Sequence, residues 1–270
     1  MAKTAIEAAF HREFDADIEW TPVGPNEHVK PYVHRGPDSV SMHFSLTEIQ
    51  SRMRPSNPDA LELEYTRLMM AFVRFEPQPR RIALIGLGGG SLAKFCHRNL
   101  PQAHAVAVEV NPHVVALRDE FGVPPDGDRF EVITQDGAAF VEESVDPVDA
   151  LLVDAFDDQG MPEALGTQRF YDRCRRLLSP QGVFVVNLQA SHPHCALHVE
   201  RIRECFEGNL LRVEAKDGSN SVVFAGNGRG LWLRPVSALR RKAWASQPAW
   251  HALAADFARV ARAASAQRSL

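Results

Sequence analysis

The stretch Arg81-Ile-Ala-Leu-Ile-Gly-Leu-Gly-Gly-Gly-Ser91 decides the fold. Arg81–Gly86 is a continuous apolar run, the composition of a strand covered on both faces. The glycines of Gly86–Gly90 then turn the chain straight into a helix-like segment, Ser91–Leu100. Strand, glycine turn and helix in that order open a parallel, doubly wound sheet. Glycines there permit positive φ and let a ligand lie against bare backbone; a tight turn with no ligand has the same composition.

Downstream, the alternation continues. Ala105–Val110, Phe130–Gln135, Ala150–Asp154 and Gly182–Leu188 read as strands. The segments Pro112–Glu120, Gly137–Glu143, Thr167–Leu178 and Pro193–Phe206 read as the helices that follow them. Leu210–Ala215 and Ser221–Ala225 flank Lys216-Asp-Gly-Ser-Asn, the pattern of a terminal hairpin. The expected class is α/β, a Rossmann-like seven-stranded sheet of the kind used by S-adenosylmethionine-dependent transferases. Upstream the text differs. Thr21-Pro-Val-Gly-Pro-Asn and Arg35-Gly-Pro-Asp are turn signals around the β-like runs Val29–His34 and Ser39–Leu46. Arg52–Asp59 reads as a loop, and a helix starts at Leu61, with Leu61, Tyr65, Leu68, Met69 and Phe72 at helical spacing. This divides the chain into a small β-rich unit over 1–60 and a cofactor-binding catalytic domain over 61–270. From about Pro235 a helix rich in Ala and Arg closes the chain. The stretch Arg234–Arg241 and the tail to Leu270 are expected to form a solvated helix face, compatible with a homodimer contact.

Three features fall on successive strand ends, where open α/β sheets bind ligands. Gly86, Gly88, Gly89 and Gly90 form the loop. Glu109 ends the next strand, where a carboxylate accepts from both ribose hydroxyls; a solvated strand end is the bland alternative. Asp136-Gly137 ends the third strand. Alone it is a turn or a helix cap, but in register with the other two it suits an exocyclic adenine amine. The loop is Gly-x-Gly-Gly-Gly rather than Gly-x-Gly-x-x-Gly, and the chain ends in a hairpin. Both favour S-adenosylmethionine over a nicotinamide dinucleotide. The fourth strand runs into Asp154-Ala-Phe-Asp157-Asp158. Two carboxylates at one cleft attract a cationic amine and can accept its proton, and like charges raise one pKa towards neutrality. Capping the next loop is their plain structural alternative.

From about Val29 to Ala225 the chain resembles the spermidine synthase (polyamine aminopropyltransferase) family. The likeness rests on Ile82–Glu109, Asp136-Gly137, Asp154–Asp157, Phe170-Tyr171 and Gly182–Asn187. It implies that Glu109 holds the ribose, Asp136 the adenine region, Asp154 deprotonates the attacking amine and Asp157 binds that amine. It also implies catalytic Tyr65 and a cofactor-binding cleft glutamine at Gln50. The family motif is Gly-Gly-Gly-Asp-Gly, and its aspartate falls on Gly89 here. The resemblance gives that aspartate the amine end of decarboxylated S-adenosylmethionine. Without it, the repulsion of the intact cofactor's carboxylate is gone. Ser91 and Lys94 at the start of the next helix further suit an anion. Asp158 stands where the family usually has proline.

The expected function is therefore alkylation of a polyamine-like small-molecule amine. Aminopropyl transfer follows if the decarboxylated cofactor is used, and methyl transfer if S-adenosylmethionine itself is. The alternative is a non-catalytic or regulatory nucleoside-binding protein. No metal is expected. His192, His194 and His198 lie close in sequence, but no carboxylate completes a site. The net charge of −4 leaves no basic footprint for nucleic acid or an anionic membrane. No apolar run approaches the roughly 20 residues that span a bilayer, and the first residues lack a signal peptide's apolar core. Cys96, Cys174, Cys195 and Cys205 include no CxxC pair and read as free thiols, so a cytoplasmic location is expected.

Overall fold

The computed structural model describes residues 28–44, 49–156, 160–227, 230 and 247–268. Its centre is a seven-stranded sheet in the order β6-β5-β4-β7-β8-β10-β9. These strands are β4 (Arg81–Ile85), β5 (His104–Glu109), β6 (Phe130–Thr134), β7 (Val148–Val153), β8 (Leu178–Gln189), β9 (Leu210–Glu214) and β10 (Asn220–Gly226). The pairs among β4 to β8 are parallel, whereas β10 runs antiparallel to both β8 and β9. The chain winds outwards from β4 to β5 and β6, then returns to β7 on the other side of β4. That reversal opens a crevice at the carboxyl ends of β4, β5 and β7.

Successive strand residues feed opposite faces. Ile82 and Leu84 join one buried cluster, while Ala83 and Ile85 join the other. The first face is covered by α1 (Glu64–Met69), a 3₁₀ turn Met70–Arg74, α2 (Ser91–Asn99) and α7 (Gln247–Arg268). The second is covered by α4 (Gly137–Glu143), α5 (Gln168–Leu177) and α6 (Cys195–Cys205). Between β5 and β6 lies α3 (Pro112–Ala116). Coverage on both sides explains the unbroken apolar runs of these strands.

Several boundaries differ from the sequence expectation. The helix expected from Leu61 is one short α-helix that tightens into 3₁₀, and α3 stops well before Glu120. A three-stranded antiparallel sheet, β1 (Tyr32–Gly36), β2 (Ser39–His43) and β3 (Ser51–Met53), forms from residues upstream of Leu61. Here β3 takes up Arg52 and Met53, which read as loop. Pairing with β2 recruits them: Val40 lies opposite Met53. Val40, Met42 and Met53 pack into the same cluster as Leu84 and Phe95, so the two sheets share a core.

The tail needs the largest correction. It is not a solvated face: Leu253, Phe257, Val260 and Ala264 of α7 are fully buried. Arg234–Arg241 lies outside the described residues. Among those described, no helix is long and apolar enough to cross a membrane.

The docking of α7 makes it part of the core. Phe257→Ala should cost about 3–5 kcal/mol of unfolding free energy in urea titrations. A loss below about 1 kcal/mol would mean that the helix contributes nothing to the folded core.

Candidate active site

The cleft at the crevice has a volume of about 490 Å³. Its back wall is the glycine loop. Gly86 and Gly88 line it with φ of 97° and 50°, angles that side-chain-bearing residues rarely adopt. A Cβ on Gly86 would stand 2.1 Å from the carbonyl oxygen of Asp154, so only glycine lets the ends of β4 and β7 meet. Gly89 and Gly90, the last residues of the loop, do not line the cleft. A Cβ on Gly89 would meet Ser51 Oγ at 2.5 Å and the Phe121 ring at 2.7 Å, and one on Gly90 would meet Val123 at 2.4 Å.

Glu109, at the end of β5, is 9% exposed and faces the same cleft. One carboxylate oxygen accepts from the Leu87 N–H at 3.0 Å and the other from the Asn111 N–H at 2.9 Å. Both oxygens are thus fixed in place, and each retains a lone pair for a further donor. Asn111 caps α3 through His113 N–H and donates to the Val29 carbonyl at 2.8 Å, drawing the N-terminal segment to the rim. Asp136 does what its bland reading says, accepting the Ala139 N–H at 2.8 Å as the cap of α4. It also lines the cleft beside Gly137. A Cβ on Gly137 would stand 2.4 Å from Ile85 Cγ2, so that helix closes tightly on β4.

Asp154 follows β7 directly, its N–H still bonded to Ile85 O at 2.9 Å. Its side chain points into the cleft, and part of its surface stays open there. The surrounding protein nevertheless removes most water from the carboxyl. Burial pushes its pKa up to about 6, against hydrogen bonds from Asn187 and Tyr65 that pull it down. The Asn187 amide donates to Asp154 at 3.0 Å, and Asn220 donates to the Asn187 carbonyl oxygen at 3.1 Å. The Tyr65 hydroxyl, on α1, is the other donor; burial first and then the Asp154 carboxylate hold it well above the usual phenol range. Gln50 and Ser51 line the wall on the β3 side.

Tyr65, Gly86, Gly88, Glu109, Asp136, Gly137, Asp154 and Gln50 thus come together around one cleft. Asp157 and Asp158 lie outside the described residues. Lys94 is a correction. It is 2% exposed and its ammonium donates to the Phe121 carbonyl at 2.7 Å instead of facing an anion. Burial lowers its pKa to about 8. Ser91 does line the cleft. Sequence reasoning missed Asn187 and Asn220 as partners of the site. Asn187 carried a signal, being a polar residue inside the apolar run Val183–Leu188 and thus in need of a partner. Asn220 carried none. Of the three histidines, His198 is buried against the Tyr171 hydroxyl at 3.1 Å, with its pKa lowered to about 4, chiefly by burial. No cluster among the described residues has the ligands for a metal ion. All four cysteines are buried free thiols, raised in pKa by burial.

The cleft supplies an acceptor-only carboxylate beside exposed loop backbone, and an enclosed carboxyl that titrates near neutrality. Such a site can hold a hydroxyl-rich group and take a proton from a bound donor. Comparison with known proteins gives the family. The model of the spermine/spermidine synthase domain matches residues 62–207. A polyamine aminopropyltransferase of Chromobacterium violaceum is 41% identical over 186 residues, covering 68% of this chain and 71% of that protein. A probable spermidine synthase from Corynebacterium glutamicum superposes with a TM-score of 0.63 at 21% identity, covering 76% of this chain and 81% of that one. Human methyltransferase-like protein 13 superposes with a TM-score of 0.57, also at 21% identity, covering 74% and 93%. The two superpositions show a shared fold, and with the family match they lead to one conclusion: the chain belongs to the spermine/spermidine synthase family of transferases.

Proposed function

We propose that this chain transfers an aminopropyl group from decarboxylated S-adenosylmethionine to a polyamine-like amine. One observation carries the chemistry: a carboxyl titrating near 6, Asp154, shares a cleft with Glu109 and the glycine loop. The name borne by the Chromobacterium relative supports the transferred group.

The residues present fit the cofactor. Gly86 and Gly88 leave a backbone cradle that a Cβ would fill or strain, and Glu109 offers two fixed acceptor oxygens for a ribose diol. Asp136, which lines the cleft, is assigned to the adenine amine in this reading. When bound, the sulfonium supplies an electrophilic carbon and a neutral thioether leaving group. The chain's own work is alignment and proton removal. Asp154 attracts the amine and takes its proton; Tyr65 and Asn187 hold the carboxylate in one orientation. A pKa near 6 leaves Asp154 ionised at neutral pH yet basic enough to accept. Asp157 is proposed as a second carboxylate for the amine, and Gln50 as a wall of the cleft.

A second reading, methyl transfer from intact S-adenosylmethionine, is favoured by Gly89. The residue that carries a carboxylate in the family motif carries no side chain here.

Three outcomes test these readings. In calorimetry, decarboxylated S-adenosylmethionine should bind at least about tenfold more tightly than the intact form, a difference of about 1.4 kcal/mol. The reverse order would move the assignment to methyl transfer, and binding of neither would remove the nucleoside site. Asp154→Asn should lower kcat by about 10²–10⁴-fold with cofactor binding unchanged; surviving turnover would disqualify Asp154 as the base. The same variant should also be the more stable protein at pH 8. The folded carboxyl keeps its proton from about pH 4 to 6, where the unfolded chain has released it, so native stability falls as pH rises through that window. Urea titrations should find Asp154→Asn ahead by about 1–3 kcal/mol at pH 8. That advantage should vanish by about pH 4. A pH-independent difference would contradict the raised pKa.

A further inference from the structure

The terminal helix α7 lies wholly outside the segment 62–207 that matches the family model. It nevertheless grips the short helix that carries Tyr65. Asp256 on α7 is 3% exposed, and such a carboxylate must be compensated. Three cations face it. Arg67 Nε of α1 donates at 2.9 Å, Arg259 of its own helix at 3.4 Å, and Lys216 of the β9–β10 turn stands at 4.0 Å. Arg259 also pairs with Glu64, at the start of α1. Glu64 in turn accepts the Lys216 N–H at 3.1 Å. Arg67 folds back on its own chain as well, donating to the Leu61 and Glu62 carbonyls at 2.7 and 3.0 Å.

The helix so held has six residues, Glu64–Met69, and its N-cap makes no side-chain hydrogen bond. One and a half turns of helix do not hold themselves. Glu64 and Arg67 are i, i+3 neighbours on one face, and Tyr65 projects from another. The direction of Tyr65 is therefore set by how α1 is fastened: Leu68 and Met69 anchor its end in the core, and its first turn is held by the charged cluster around the buried Asp256.

We propose that Asp256 is a positioning residue for the Tyr65–Asp154 pair, acting through Arg67 and Arg259 on helix α1, so that the terminal helix is part of the reaction machinery. The proposal rests on the reading of Asp154 and Tyr65 as the reacting pair. It predicts that loosening Asp256 costs Asp154 the hydrogen bond of Tyr65, although Asp256 touches neither residue.

The test reads the Asp154 carboxyl directly, by ¹³C NMR titration of the full chain, with the signal assigned by its absence in Asp154→Asn. Tyr65→Phe should move the Asp154 midpoint up by about one pH unit, because a hydrogen bond to the charged form is lost. Asp256→Ala should move it in the same direction while the melting curve stays cooperative. Asp256→Glu should bring it back, and Asp256→Ala added to Tyr65→Phe should shift it no further. If Asp256→Ala does not fold, Arg67→Met, which keeps the aliphatic stem, gives the same reading from the other side of the pair. A midpoint unmoved by both variants while Tyr65→Phe shifts it would overturn the proposal and leave the active-site reading intact. A midpoint unmoved by Tyr65→Phe would overturn both.

Discussion

The site depends on one close contact, the backbone of Gly86 against the carbonyl of Asp154. A methyl group at Gly86 would lie 2.1 Å from that oxygen, inside any permissible distance. Because there is none, the ends of β4 and β7 converge, and the glycine loop and the Asp154 side chain open onto one cleft. The remaining ladder bonds hold that approach. Gly86 N–H reaches Val108 O at 2.8 Å, and Asp154 N–H reaches Ile85 O at 2.9 Å. Glu109 then ties the loop from the β5 side through Leu87. Three neighbouring strands thus present three functional groups at a spacing set by backbone, with little left to side-chain rotamers.

An enclosed carboxyl such as Asp154 is costly to keep ionised, and among the described residues that cost is answered with oriented donors rather than with a cation. Tyr65 and Asn187 both donate to it, and Asn220 fixes Asn187 in turn. A neighbouring arginine would have driven the pKa down and removed the basicity. Neutral donors orient the carboxylate while leaving its pKa near 6. Among the described residues, the cations beside α1 are paired elsewhere. Arg67, Arg259 and Lys216 are satisfied by Asp256 and Glu64, none of which lines the cleft.

Much of this was legible in the sequence, for identifiable reasons. A parallel sheet covered on both faces writes itself as apolar runs, and the glycine loop and strand-end acids sit at fixed places relative to those runs. Glu109, Asp136 and Asp154 could therefore be read in order. What escaped was whatever depends on packing between distant segments. Strand β3 exists because Met53 pairs opposite Val40 and enters the shared core, which a Pro- and Asn-rich context conceals. The tail looked solvated because Ala and Arg dominate it. Its buried face is a sparse set, Leu253, Phe257, Val260 and Ala264, and two of its charged residues point inward. Lys94 looked like a cleft cation by position alone, yet its stem leads to the Phe121 carbonyl.

The departure at Gly89 looks different once its surroundings are known. Read in the sequence, it is a missing carboxylate. In the fold, it is a position where a side chain would force its neighbours to move: Ser51 Oγ would lie 2.5 Å and the Phe121 ring 2.7 Å from a Cβ placed there. Ser51 belongs to β3, the strand the sequence concealed, and it lines the cleft. In this chain the absence of a side chain at Gly89 and the close approach of β3 therefore go together. Restoring an aspartate at Gly89 alone would strain the loop against β3 before any charge could act, an overpacking cost of about 1–3 kcal/mol. This wall of the cleft presents Ser51, packed against a loop residue that has no side chain. Its electrostatic character is set jointly by residues 51 and 89, and neither can be reassigned without the other.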